Sequence, residues 1–497
     1  MSEEQKSLKQ IIDFRKEKLT DLRKKGIDPY PSNFTPTHFS ESIKINFEKL
    51  EGEDVVLAGR IMGIRRMGKA SFFRIIDNEG GIQIFIKKDD IGGNSYENFK
   101  LFDIGDFVGV NGQVFKTKTG EISIRTFELT LLAKSIRPLP IVKEKDGTKY
   151  DSFSDKEQRY RNRHLDLLLN QEVKNTFIQR TKIIKEMRTF LDEHQFLEVE
   201  TPVLQPIYGG ANARPFITYH NTLDQKLYMR IADELYLKRL IIGGIDRVYE
   251  IGKDFRNEGM DRNHNPEFTM LEFYWAYADY EDCMYLVESL IRNIAKKIDA
   301  LKISFNNVEI NLNKPFKKKR FTELLSEKLG VNVNAVSENQ LKQICKEKKI
   351  QLKADTNIGQ ILDTLMGELV EPTLTEPTFV IDYPKVISPL AKMHRSGDPK
   401  LVERFELFIG GDEFANSFSE LNDPVDQRKR LEEQSSFRKL GDEEAQNLDE
   451  NFIQAMECGM PPTGGVGIGI DRLVMLLTEN TSIKDVILFP TLRSEVD

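Results

Sequence analysis

Arg247–Tyr280 reads RVYEIGKDFRNEGMDRNHNPEFTMLEFYWAYADY. Two strand-like runs flank a polar turn around Glu258-Gly259, which predicts an antiparallel pair. Side chains alternate faces along a strand. Phe268, Met270, Glu272 and Tyr274 therefore share one side, and Thr269, Leu271, Phe273 and Trp275 share the other. The second set is apolar enough to face a core. Glu272 is thus expected among aromatics on a half-buried sheet, where an unpaired carboxylate is costly. Something cationic must meet it, either an arginine or lysine of the chain or a ligand.

The 497 residues suffice for two or three domains with at least one sizeable core. Charged residues make up 30% and hydrophobic ones 39%, as in an ordinary soluble protein. No apolar run is long enough to span a bilayer, so no membrane partner is expected, and Met1–Ile12 shows no signal-peptide pattern. The three cysteines, Cys283, Cys345 and Cys458, form no CxxC pair. Their scarcity predicts a reducing, cytoplasmic address without disulfides or structural zinc. A net charge of −7 does not advertise nucleic-acid binding, although a local basic surface would suffice for it. Basic residues cluster at Arg15, Lys16, Lys18, Arg23, Lys24 and Lys25 and again at Lys317–Arg320, as either solvated faces or phosphate contacts.

Ser7–Lys25 predicts an amphipathic helix, with Leu8, Ile11, Ile12, Leu19 and Leu22 on one stripe, within an N-terminal helical extension (residues 1–52). Between Asp54 and Leu132, alternating runs separated by glycine turns (VVLAGRIMGIR, ASFFRIID, GGIQIFIK, DFVGVNGQVF and ISIRTFELTLL) predict a five-stranded barrel of the OB type over 53–140. A linker is expected at 141–160. Beyond it, helices at Arg180–His194 and Asp279–Lys297, a strand at Phe196–Val203 and further strands after Phe379 predict an α+β domain over 161–497, with a helical insertion around 301–371.

Two more stretches carry chemistry. In RFELFIGGDEFANSFSELND, Phe414, Asn416, Phe418 and Glu420 fall on one face by simple alternation. Glu406 and Glu413 are brought toward one locus by a bulge or tight turn at Gly410-Gly411. Two hard-oxygen donors near a polyphosphate suit Mg²⁺; structural ion pairs with arginines are the alternative. In GGVGIGIDRLVMLL, glycines 465, 467 and 469 strip one strand face of side chains, and Arg472 follows. Such a surface admits a flat ligand or another backbone. The spacing fits neither a Rossmann nor a P-loop fingerprint. Arg256, near His264, Phe268 and this second arginine, offers a planar fork for phosphate or carboxylate.

Together these segments resemble the class II aminoacyl-tRNA synthetases, most closely the bacterial-type lysyl enzymes. Motif 1 corresponds to the helix from Arg180 and the strand ending at Pro202, motif 2 to FRNEG…HNPEFT, and motif 3 to GIGIDRLVML; the domain order matches too. The resemblance implies an OB-fold barrel followed by an antiparallel sheet flanked by helices. It implies ATP-dependent activation of lysine, transfer to tRNA(Lys), and a homodimer formed through motif 1. Arg256 would bridge the amino-acid carboxylate and the α-phosphate. Glu258, His264, Phe268 and Arg472 would contact the nucleotide, with Phe268 and Arg472 on opposite faces of adenine. Glu406 and Glu413 would hold Mg²⁺. Gly210 and Glu234 would receive the α-amino group and Asn416 the carboxylate, while Glu272, Tyr274, Phe418 and Glu420 would line the side-chain end. Arg65, Phe72, Gln83 and Glu121 match positions that read the anticodon. Asp233 and Asn263 depart from the commonest residues of the lysyl enzymes. Aspartyl- and asparaginyl-tRNA synthetases share the architecture and remain the nearest alternative.

Overall fold

The computed structural model describes residues 7–140, 143–145, 148–150, 153–352, 356–439 and 447–495. The first part of the expected linker, around 141–152, lies largely outside them. Two compact units emerge, Met1–Ser154 and Asp155–Asp497.

In the first unit, α1 (Leu8–Lys24) starts at Ser7, where Ser7 and Gln10 cap each other reciprocally. Strands β1 (Asp54–Met67), β2 (Ala70–Ile76), β3 (Gly81–Lys87), β4 (Phe107–Lys116) and β5 (Ile122–Ala133) close a barrel in the order β1-β2-β3-β5-β4. Alternation sends Leu57, Phe73, Ile75, Ile84, Val110 and Ile124 into the barrel core.

In the second unit, after short helices at Lys156–Arg161 and Arg163–Leu169, α2 (Gln171–Glu193) starts well before the predicted Arg180. Ahead of Arg180 only Val173, Phe177 and Ile178 are apolar, too few to mark a stripe. The predicted strand Phe196–Val203 shrinks to β6 (Leu197–Glu198). The chain then leaves this sheet and forms a small second one from β7 (Leu204–Gln205), β8 (Ile217–His220) and β9 (Gln225–Met229). Helix α3 (Glu234–Ile242) follows, then β10 (Arg247–Phe255), β11 (Glu267–Ala276) and α4 (Tyr280–Lys297), the last capped by Asp279. The β10–β11 register ends at Phe255↔Glu267. Arg256, Glu258 and His264 therefore ride on a polar connection over 256–266, longer than the expected turn around Glu258-Gly259.

The expected helical insertion is only partly helical. A hairpin of β12 (Lys302–Phe305) and β13 (Val308–Asn311) comes first. Next, β14 (Lys317–Arg320) joins the edge of the main sheet, parallel to β15 (Thr378–Pro384). Helices α5 (Phe321–Leu329), α6 (Glu338–Glu347) and α7 (Ile358–Leu369) lie between β14 and β15. The basic cluster Lys317–Arg320 is thus a charged edge strand, a device that discourages strand addition, and Lys317 and Arg320 pair with Glu376 and Asp382.

With β16 (Leu401–Ile409), β17 (Asp412–Ser419) and β18 (Thr463–Gly469), the main sheet runs β14-β15-β16-β17-β18-β11-β10-β6. All its neighbours are antiparallel except the two edge pairs. One face packs Leu271, Phe273, Leu407, Val466 and Ile468 against α2, α4 and α8 (Ile470–Leu477). The other face of the central strands is left for a cavity.

A register shift between Leu407 and Phe408 pairs Phe408 with Glu413 but Leu407 with Ala415, so Phe414 is the extra residue of a bulge. Simple alternation groups Phe414 with Asn416, Phe418 and Glu420. Instead, Phe414 turns into the core against Phe305, and Glu413 takes its place on the cavity face. Gly410-Gly411 forms the hairpin turn itself, with φ of +61° and +84°. The bulge sits beyond it.

Candidate active site

The cavity lies over β11, β17 and β18 and measures 390 Å³, within the ~300–1,000 Å³ span usual for small-ligand sites. Gly210, Glu234, Arg256, Glu258, His264, Phe268, Glu272, Tyr274, Glu413, Asn416, Phe418, Glu420 and Arg472 all line it. One arrangement thus gathers every predicted nucleotide and lysine contact. Glu406 is set behind Arg404.

The acidic end comes from three elements. Glu272 and Tyr274 project from β11, and the Tyr274 hydroxyl donates to Glu272 Oε2 at 3.1 Å. The Asp233 backbone N–H donates to Glu272 Oε1 at 3.3 Å. Glu234 opens α3, and Glu420 follows β17; both are buried. Glu420 Oε1 has no hydrogen-bond partner. A buried carboxylate oxygen left in that state favours a cationic ligand. Burial pushes Glu420 up to about 8, with Lys238 opposing and Glu234 reinforcing the shift. Glu272 also rises to about 8, through burial and the charges of Asp254 and Glu234.

The glycines of β18 make this geometry possible. A Cβ on Gly465 would lie 2.0 Å from Glu420 Oε1 and 2.5 Å from the Tyr274 ring. Gly210 has φ of +88°, and a Cβ there would stand 3.0 Å from that of Glu234. The smooth face serves the acids as well as any flat ligand.

Behind Glu272, Arg230 bridges Glu250 (2.5 Å), Asp233 (2.9 Å) and Asp254 (3.3 Å). It lies over Gly252, where a Cβ would meet its guanidinium at 1.9 Å. Burial and neighbouring carboxylates raise Asp233 to about 10, so it holds a proton at neutral pH. The unusual aspartate is accommodated as an uncharged acid.

At the other end, Arg256 lies 5.0 Å over the Phe268 ring and donates from Nε to the Ile231 carbonyl at 3.4 Å. Arg472 donates to the Glu413 carbonyl at 2.8 Å and contacts His264 Nε2 at 3.1 Å. His264 Nδ1 is held by Asp261 at 2.8 Å. Arg180 on α2 reaches Asp471 at 2.6 Å and Thr269 at 3.0 Å, which ties the first and third motifs to β11. Asn263, the other departure, donates to Asp412 at 2.8 Å.

Glu406 and Glu413 share the cavity face of β16 and β17, yet each meets an arginine. Glu406 pairs with Arg404 and accepts from the Tyr383 hydroxyl at 2.7 Å; Glu413 lies 3.4 Å from Arg472. Asp363 and Glu371 complete a group of four carboxyls facing two guanidiniums. Burial, then Glu406 and Glu413, push Glu371 up to about 8. Glu371 therefore keeps a proton at neutral pH, and Glu406 and Glu413 are the hard-oxygen donors that would hold a divalent cation.

Arg404, Lys238, Asp471 and Glu371 are functional neighbours that the sequence reading did not single out. Arg404 donates to Asn416 Oδ1 at 3.1 Å and lies 5.5 Å over Phe418, so it fixes two predicted lining residues. Lys238 stood four residues after Glu234, on the same helix face, a spacing visible in advance. Arg404 and Glu371 carried no local signal, because β-pairing and a distant helix terminus bring them in.

On the barrel, Phe73 belongs to the core, whereas Phe72 is half-buried on the outer face, 4.9 Å from Phe85. Register places Arg65, Phe72, Phe85 and Arg125 in one row across four strands. Gln83 donates to Ser123 at 2.9 Å, and Glu121 is exposed. An aromatic platform flanked by arginines suits stacked single-stranded bases.

Residues 155–493 match the family of class II tRNA synthetases for D, K and N, and residues 55–139 match the OB-fold nucleic-acid-binding domain. The chain belongs to the class II tRNA synthetases. Lysine–tRNA ligases from Carboxydothermus hydrogenoformans and Thermoanaerobacter pseudethanolicus are each 51% identical to it, over 99% of this chain and 99% and 97% of their own lengths.

Proposed function

We infer that the chain activates lysine with ATP, giving lysyl-adenylate and pyrophosphate, and transfers the lysyl group to the 3′ end of tRNA(Lys). The observation that carries this is the acidic end of the cavity, where Glu234, Glu272 and Glu420 converge. An aspartate-binding pocket needs cations at that end. In support, the two 51% identical relatives are lysine–tRNA ligases over nearly their full lengths.

Lysine lies with its α-amino group at Glu234 and Gly210, its stem along Phe418, and its ε-ammonium at Glu420, Glu272 and Tyr274. Asn416 and Arg256 hold its carboxylate. Arg256 also faces the α-phosphate, so the attacking oxygen and the phosphorus are held together, and the guanidinium offsets charge that develops in transfer. Phe268 and Arg472 enclose adenine, with Glu258 and His264 nearby; Arg256 moves off the Phe268 ring to admit the base. Glu406 and Glu413 would hold Mg²⁺, which would supply positive charge to offset the polyphosphate. Arg65, Phe72, Gln83 and Glu121 read the anticodon. The OB-fold domain spans 53–140 and the catalytic domain runs from Asp155, earlier than the expected 161, with an insertion at 301–371. Exposed Leu197, Val203, Leu204, Ile217, Tyr219 and Leu223 support a homodimer contact beside motif 1. A cytoplasmic address is consistent with this chemistry, and no described helix is long and apolar enough to cross a membrane.

ATP–pyrophosphate exchange across the amino acids tests the assignment. Lysine should support exchange alone, and exchange driven by aspartate or asparagine would overturn it. Phe72→Ala should reduce tRNA charging at least tenfold, with adenylate formation unchanged in the exchange assay. A matching loss in exchange would place Phe72 in the barrel's stability instead.

The pH dependence has a definite sign. Glu272 and Glu420 rise to about 8, so in the free protein they hold protons at pH 6, and an incoming ammonium must displace them. The lysine KM should therefore fall as pH increases from 6 to 8, by up to about tenfold per unit for each proton displaced. A KM for lysine that is flat over this range would contradict the placement of its ammonium groups.

A further inference from the structure

Lys238 is fully buried on α3 and lies behind the cavity wall rather than lining it. Its ammonium contacts the carboxylates of both Glu234 and Glu420. Those two acids come from separate elements, and each also faces the cavity. A buried ion pair is weak evidence for stability, since well-packed apolar residues of similar volume often do as well. The neighbouring cavity makes its charge consequential.

Charge counting shows why. The cavity's acidic end carries three carboxyls, Glu234, Glu272 and Glu420. Lys238 cancels one of the three negative charges when they are ionised, leaving two. Free lysine offers two ammonium groups, one at each end of its side chain, and its carboxylate is directed to Arg256. Behind Glu272, Asp233 keeps a proton and Arg230 pairs with Glu250 and Asp254; Arg256 also acts on Asp254, so its charge is shared between that acid and the lysine carboxylate. Tyr274 from β11 and Cys283 from α4 are the remaining titratable groups against this cluster, and burial raises both. Both therefore stay neutral.

We propose that Lys238 is a positioning residue for amino-acid selection: its fixed ammonium holds Glu234 and Glu420 together and trims the pocket's charge to match the two ammonium groups of lysine. The contacts with Glu234 and Glu420 explain why it stays charged, for they raise its pKa to about 12 despite burial. Without it, three carboxyls would face two ammonium groups, and one would retain a proton that lysine binding must displace or tolerate.

The inference rests on the lysine reading, so wild-type exchange with lysine is measured first. Its absence would defeat that reading itself. Given exchange, Lys238→Met and Lys238→Gln should each raise the lysine KM at least tenfold at pH 7. Their ATP KM should stay within about twofold, and the rise should be larger at pH 6.5 than at pH 8.5. Lys238→Arg should restore the lysine KM to within about threefold. A lysine KM within twofold of wild type in a folded Lys238→Met, or equal losses for lysine and ATP without a pH slope, would overturn the proposal. Should neither neutral variant fold, the unmodified protein decides. The ¹⁵N resonance of Lys238 Nζ should be that of an ammonium up to pH 9, with and without lysine, and a neutral amine there would overturn the charge match.

Discussion

Gly465→Ala should raise the lysine KM by about a hundredfold or more while leaving the ATP KM within a few-fold. A single methyl at this position would lie 2.0 Å from Glu420 Oε1 and 2.5 Å from Tyr274, far inside van der Waals contact. Glu420 cannot retreat freely, because it is buried and Lys238 holds its other oxygen. The carboxylate must therefore leave the position it offers to the ε-ammonium. Removing one partner from a desolvated charge pair costs about 2–5 kcal/mol, which converts to roughly thirtyfold to several-thousandfold in binding. Glu420→Gln should reproduce the lysine defect without the steric one. Steady-state exchange kinetics with each substrate varied in turn separate the cases, and equal rises in both KM values would point to general disruption of β18.

Arg256→Ala should depress kcat/KM for adenylate formation by on the order of a thousandfold or more, comparable with the loss of other guanidinium or hydrogen-bond donors aimed at transferring groups. Here the effect should appear mainly in kcat, because the charge that Arg256 offsets grows in the transition state. Arg256→Lys should recover little, since an ammonium cannot reproduce the planar fork. Thermal stability should change less than activity, as the guanidinium makes a long hydrogen bond to the Ile231 carbonyl, a contact with Phe268 and a charge interaction with Asp254, which Arg230 also pairs. A variant with wild-type kcat and an elevated KM alone would mean that Arg256 only binds substrate.

The barrel and the central strands were readable in advance because two-residue periodicity is a local property. Phe268, Met270, Glu272 and Tyr274 fall on the cavity face as alternation requires, and their neighbours Leu271 and Phe273 fall in the core. The bulge at Phe414 was not readable: one extra residue inverts the facing of everything before it, and no local residue type announces it. The hidden partners share one cause. Arg404 reaches Asn416 through strand pairing, and Glu371 approaches Glu406 through a helix terminus far away in sequence. The strand at the start of the insertion is hidden because β14 consists of four exposed basic residues, whose composition resembles a solvated turn more than a sheet edge. Resemblance supplied roles for individual residues that spacing alone left open, notably whether Glu406 and Glu413 serve a metal or their own arginines.

A crystal structure with lysine and a non-hydrolysable ATP analogue tests the acidic pocket most directly. The ε-ammonium should lie within hydrogen-bonding distance of Glu420 Oε1 and the Glu272–Tyr274 pair, with the α-amino group at Glu234 and the carboxylate facing Arg256. Lysine bound elsewhere, with Glu420 satisfied by Lys238 alone, would contradict it.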